Sequence, residues 1–138
     1  MKVVLENLDA LKKYAQETAH EIHPPLLVLI HGNLGAGKTT LVSAILEAWG
    51  VESANSPTFN LRNDYYPQNF HAAHLDFYRL KNAESAWDIL PFDEDFSQSV
   101  VFVEWPEKVD AQLFTPFSRK LEIFIDVNSQ GHRIIEKK

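Results

Sequence analysis

Apolar residues near the start of the chain keep a helical spacing. Leu8, Leu11, Ala15, Ala19 and Ile22 recur three and four positions apart with polar residues between them, which predicts one amphipathic helix ended by His23-Pro24-Pro25. The pattern then changes. Leu26-Leu27-Val28-Leu29-Ile30 is unbroken aliphatic sequence, bounded by prolines before it and glycines after it, and predicts a strand covered on both faces at the centre of a parallel sheet. Helical spacing returns between Thr39 and Trp49 through Leu41, Ala44, Ile45 and Ala48, with Gly50 as its stop.

The stretch from Thr58 to Leu80 mixes aromatic and polar residues around a Pro67-Gln68-Asn69 turn, and suits a hairpin or an excursion from the sheet. Asn82 to Leu90 fits a short helix, and Pro91 to Ser99 an acidic loop. Val100-Val101-Phe102-Val103 is a second buried-type strand that leads directly into Glu104 and Trp105 and closes at Pro106. From Lys120 to Val127 the alternation is strict. Leu121, Ile123, Ile125 and Val127 face one way and Lys120, Glu122, Phe124 and Asp126 the other, a half-exposed strand that turns at Asn128-Ser129-Gln130-Gly131 into a last short strand with Ile134 and Ile135.

Composition narrows the function classes. At 138 residues there is room for one domain, and 45% hydrophobic with 23% charged residues excludes a largely disordered chain. The net charge of −6 opposes direct binding to nucleic acid or anionic membranes. With no cysteine, a disulfide scaffold, an iron–sulfur cluster, a thiolate zinc site and cysteine nucleophile chemistry are excluded. The segment Met1 to Leu11 carries Lys2, Glu6 and Asp9 and lacks the apolar core of a signal peptide, and Leu26 to Ile30 is too short to span a bilayer. The expected location is the cytoplasm.

Between the first buried strand and the following helix, Gly32-Asn33-Leu34-Gly35-Ala36-Gly37-Lys38-Thr39 satisfies the phosphate-binding pattern G-x-x-x-x-G-K-[ST]. Glycines let the backbone curl into a nest whose amides point inward at phosphate oxygens. Lys38 brings a mobile positive charge to the terminal phosphates, the Thr39 hydroxyl suits magnesium, and the helix entered through Thr40 adds its N-terminal dipole. The fold class follows: an α/β, P-loop NTPase-like single domain over residues 1–138, with a mainly parallel sheet, antiparallel additions and helices on both faces.

A magnesium nucleotide calls for an acid at the end of a neighbouring strand. Glu104 meets that need after four apolar residues, and Asp76, within His74-Leu75-Asp76-Phe77-Tyr78-Arg79, is a second candidate that could equally be a solvated or Arg79-paired aspartate. His71 and His74 match no common zinc ligand pattern and read as core or surface histidines. Ser56, Pro57 and Thr58, with Phe59, lie where nucleotide switches place a segment contacting magnesium or the terminal phosphate; a plain turn before a strand is the other reading. Trp105, Trp87, Tyr65 and Tyr66 read as packing residues. No arginine finger or water-orienting glutamine is evident near the loop.

With the loop, Ser56 to Phe59, His74 to Leu80 and Glu104-Trp105-Pro106-Glu107 together, the chain resembles the TsaE family from its first helix to the Gln130-Gly131 turn. These are small bacterial P-loop ATPases of threonylcarbamoyladenosine (t6A) synthesis in tRNA. The resemblance implies a parallel sheet with helices on both sides, binding of ATP and Mg2+, and work with TsaB- and TsaD-type partners, through which tRNA is reached. It implies that the partners carry out the transfer while this subunit hydrolyses ATP for repeated turnover. On that analogy Lys38, Asp76 and Glu104 are catalytic, Thr39 and Glu104 hold magnesium, and the nucleotide touches Gly32 to Thr40 with Leu8 and Gly131 bordering the adenine. Asn33 departs from the acid common after the loop's first glycine. Two other function classes are kept open. A small-metabolite kinase would need lid arginines, yet between Lys81 and Arg119 only Lys108 is basic, against seven acids from Glu84 to Glu107; a nucleotide-dependent binding module would bind without turnover.

Overall fold

The aliphatic run becomes the middle strand of a seven-stranded sheet. The computed structural model describes residues 2–52, 61–80, 82, 85–90 and 96–138, with 87 and 88 described in backbone only. In chain order the elements are β1 (Lys2–Leu5), α1 (Leu8–Glu21), β2 (Leu26–His31), α2 (Lys38–Ala48), β3 (Arg62–Tyr65), β4 (His71–Asp76), α3 (Ala86–Ile89), β5 (Ser99–Glu104), β6 (Lys120–Val127) and β7 (Arg133–Lys137). The sheet order is β1-β7-β6-β2-β5-β4-β3. β2 pairs in parallel with β5 and β6, and β4 in parallel with β5, while β3, β7 and β1 are added antiparallel to their neighbours.

This arrangement explains the two kinds of strand pattern. β2 and β5 lie inside the sheet with both faces covered and are continuously apolar, whereas β6 is nearer one edge and alternates. On one face Val28, Ile30, Val100, Phe102 and Ile123 pack under α1 and α2 through Leu11, Ala15, Leu41 and Ile45. On the other, Leu27, Leu29, Val101 and Val103 are covered by Ala86 and Leu90 around α3 and by Leu113, Phe114 and Phe117. Helices thus cover both faces unequally: a long pair on one, α3 and short helical turns on the other.

Asn7 caps α1 by accepting the Ala10 amide at 2.8 Å, so the first helix closes its own N-terminus. The second does not. Trp49 joins both helices to the sheet, its indole donating to the Ala19 carbonyl at 3.0 Å and its ring lying against Phe70 and Phe102. The expected hairpin is β3–β4, turning through the Pro67-Gln68-Asn69 segment; the expectations for residues 53–60 and 91–95 lie outside the described residues. β1 was not expected. Its four residues, exposed or partly buried except Leu5, are too few to establish a period, and pairing with β7 is what makes them a strand. Among the described residues no helix is long and apolar enough to cross a membrane.

Phe102 is fully buried between the sheet and Trp49. Phe102→Ala should cost about 3–5 kcal/mol in urea unfolding, the range for removing a buried aromatic; a loss below about 1 kcal/mol would contradict this account of the core.

Candidate nucleotide site

The carboxyl ends of β2, β5 and β4 lie side by side, and the segment 32–37 leaves β2 there to enter α2. Two glycines make that path possible. A side chain on Gly32 would sit 2.5 Å from the Ile125 carbonyl oxygen of β6, so only glycine lets the loop cross so close to the sheet. Gly37, at φ 102°, is the N-cap of α2 in the left-handed region, and among the described residues no side chain caps the helix. The first amides of α2 are therefore left for an acceptor from elsewhere, the arrangement that favours an anion at a helix N-terminus.

Lys38, the first residue of α2, is 4% exposed and folds back over its own loop, donating to the carbonyls of Gly32 at 2.6 Å and Asn33 at 2.9 Å. Its ammonium also lies 4.1 Å from the centre of the Trp105 ring, a cation–π distance. Burial pushes Lys38 below the usual lysine range, against the opposing charges of Glu104, Glu107 and Asp76. Trp105 is held at φ 59°, a left-handed conformation that costs a bulky residue energy. It faces the loop lysine, a role beyond the packing expected from sequence.

Glu104 ends β5 and is 2% exposed. The Thr39 hydroxyl stands 2.8 and 2.9 Å from its two oxygens and donates to the carboxylate, and His74 Nε2 meets it at 2.5 Å. His74 is fully buried, and among the described residues its Nδ1 has no hydrogen-bond partner. Placing the ring hydrogen on Nε2 satisfies the carboxylate and leaves Nδ1 as a bare acceptor. Asp76 ends β4 in register with Glu104 and accepts the Tyr78 amide at 2.9 Å. Burial raises the Asp76 carboxyl above its ordinary value, with the Tyr78 N–H opposing the shift and the charge of Glu104 adding to it.

Lys38, Thr39, Thr40, Asp76 and Glu104 line one groove together with Leu34, Gly35 and Gly37. Beside it lies a cavity of about 140 Å³ lined by Leu5, Asn7, Leu8, Leu11 and Gly131, and again by Gly37 and Thr40. Ala36 is buried, while Asn33 and Leu34 are exposed, with Leu34 turned to solvent. Ser56, Pro57 and Thr58 lie outside the described residues.

The family model for threonylcarbamoyl adenosine biosynthesis protein TsaE matches residues 5–135. The chain belongs to the TsaE family. A TsaE protein of Rickettsia felis is 34% identical over 134 residues, covering 96% of this chain and 76% of that protein. One from Aquifex aeolicus is 31% identical over 140 residues, covering 99% and 96%. Both are named for tRNA threonylcarbamoyladenosine biosynthesis. The crystal structure of Bacillus subtilis YdiB is similar in fold, with a TM-score of 0.70 and 28% identity over 98% of this chain and 82% of that one.

Within this TsaE chain, two residues at the site escaped the sequence reading. His74, read as a core or surface histidine, is buried; it stands two positions before Asp76 on one strand and so shares its face, a period-two signal for its contact with Glu104. Arg133, two residues beyond Gly131, lines both the groove and the cavity, a placement the sequence reading did not include.

A raised native value means that the folded chain holds the Asp76 proton more tightly than the unfolded chain. The stability linked to Asp76 is therefore fully present below its ordinary value and is lost as pH rises through the native one. Asp76→Asn, which keeps an acceptor for Tyr78, should melt higher than the parent protein at pH 7 without ligand, with the gap narrowing as pH falls toward 4. A gap independent of pH in thermal melts, or a lower melting point at pH 7, would contradict the assignment.

Proposed function

We propose that this chain is the ATP-binding and ATP-hydrolysing subunit of t6A synthesis on tRNA, acting in the cytoplasm with TsaB- and TsaD-type partners that carry out the transfer. The observation that carries the reading is the convergence of Lys38, Thr39, Asp76 and Glu104 on one groove that adjoins the cavity at Leu8 and Gly131. The names of its relatives support the pathway. Its net charge of −6 suits a subunit that reaches tRNA through others.

In this reading the loop amides and the start of α2 hold the β- and γ-phosphates, and Lys38 exchanges the Gly32 and Asn33 carbonyls for charged phosphate oxygens, which pair more strongly with an ammonium. The donor set fits magnesium: a hydroxyl and a carboxylate already in contact, with a second carboxylate in register. Thr39 and Glu104 would hold the ion, with Asp76 beside it, and the bound ion would neutralise charge gathering on the phosphate oxygens. Asp76, at the end of β4 beside Glu104, orients the attacking water and accepts its proton as the bond to the γ-phosphorus forms and the bond to ADP breaks.

Lys38→Ala should weaken ATP binding about a hundredfold by calorimetry, the size of a strong charge-assisted hydrogen bond, with the melting temperature nearly kept. Thr39→Val should weaken magnesium-ATP more than metal-free ATP. Unchanged affinity in the first variant, or equal losses in the second, would overturn the site.

Glu104→Gln separates turnover from binding. It should keep ATP bound yet lower phosphate release, measured with the partners present, by about a hundredfold or more. If that variant loses hydrolysis but supports undiminished multiple-turnover t6A formation, the chain is a nucleotide-dependent binding module instead.

A further inference from the structure

We infer that Arg133 is a second phosphate-binding cation of this site, directed at the α-phosphate; this rests on the nucleotide reading above. Gly37, Thr40 and Arg133 line both the phosphate groove and the neighbouring cavity, so they mark the junction between the two. A nucleotide with its terminal phosphates in the loop and its base in the cavity passes its ribose and α-phosphate through that junction. Lys38 sits at the other end, turned toward Gly32 and Asn33. One ammonium cannot serve both ends of the polyphosphate.

Arg133 is held for the task by the loop and the hairpin. A Cβ on Gly37 would lie 3.1 Å from Arg133 Nε and 3.8 Å from its Cδ, so the side chain rests directly on the loop backbone where glycine leaves room. Its Nη1 makes one long bond, 3.3 Å, to the Gly131 carbonyl in the β6–β7 turn. Among the described residues no carboxylate lies within ion-pairing distance of it, although the chain carries 19 acids. A guanidinium offers five N–H donors, so most of its hydrogen-bonding capacity is left for a ligand. An unpaired cation beside an uncapped helix start selects an anion.

This role differs from that of an arginine finger. A finger acts on the γ-phosphate and favours ATP over ADP, whereas a contact to the α-phosphate serves both nucleotides alike. The contact comes from the C-terminal hairpin and needs no lid. It also gives Gly37 a second reason to lack a side chain.

The test is calorimetry of ATP and ADP with the full chain, comparing the parent protein, Arg133→Gln, Arg133→Lys and Lys38→Ala, with melting temperatures recorded for each. Arg133→Gln should weaken ATP and ADP by the same factor, about tenfold, the size of one hydrogen bond to a charged group. Arg133→Lys should recover most of that loss, because it restores the charge without the flat surface that stacking on a base would need. Both variants should melt within about 2 °C of the parent. Unchanged affinity in Arg133→Gln, a loss confined to ATP, or no recovery with lysine would overturn the assignment. If Lys38→Ala loses affinity while Arg133→Gln does not, this inference alone fails; if the parent protein binds neither nucleotide, the proposed function fails with it.

Discussion

A carboxylate shut away from water has to be met by donors, and Glu104 is such a group. At 2% exposure, an unpaired charge at the end of β5 would be strongly destabilising. His74 from β4 and Thr39 from α2 supply the donors, and the charge of Lys38 lies near enough to be felt. Three elements distant in sequence are fastened at one point. The start of α2, and with it the loop before it, is held against the sheet by this pairing.

Much of the local geometry follows from that fastening. With Thr39 tied to β5, Gly32 must pass the Ile125 carbonyl at a distance only glycine tolerates, and the loop turns back over Lys38. The lysine stands over Trp105, the residue immediately after the buried glutamate. Charged groups gathered so closely act on one another. Lys38 and Asp76 are both shifted toward their neutral forms chiefly by burial. A polyanion with a divalent cation would relieve both, by giving the ammonium a charged partner and the carboxylates a shared counter-ion.

The elements most legible in the sequence were those that repeat a period or obey a motif. The apolar run 26–30, the helices on either side and the alternation of 120–127 could be read because burial on one face or two leaves a different spacing. The turn from β2 into α2 was legible because its glycines answer to backbone requirements. Glu104 was legible because four apolar residues carry it to the sheet edge. β1 was not, since four residues hold no pattern and a partner strand from the far end of the chain decides their structure. His74 is the core histidine that was one of its two readings, but its contact with Glu104 was not legible, because that depends on β4 and β5 lying side by side. Arg133 was invisible for a similar reason: its nearness to Gly37 comes from the order of the sheet, with nearly a hundred residues between them in sequence.

The most direct test is a crystal structure of the chain grown with magnesium and a non-hydrolysable ATP analogue. The account predicts a triphosphate within the loop 32–39, the Lys38 ammonium moved off the carbonyls of Gly32 and Asn33 onto phosphate oxygens, and the base in the cavity beside Leu8 and Gly131. A loop still closed on Lys38 through those two carbonyls at saturating analogue, with the ligand bound elsewhere, would contradict it.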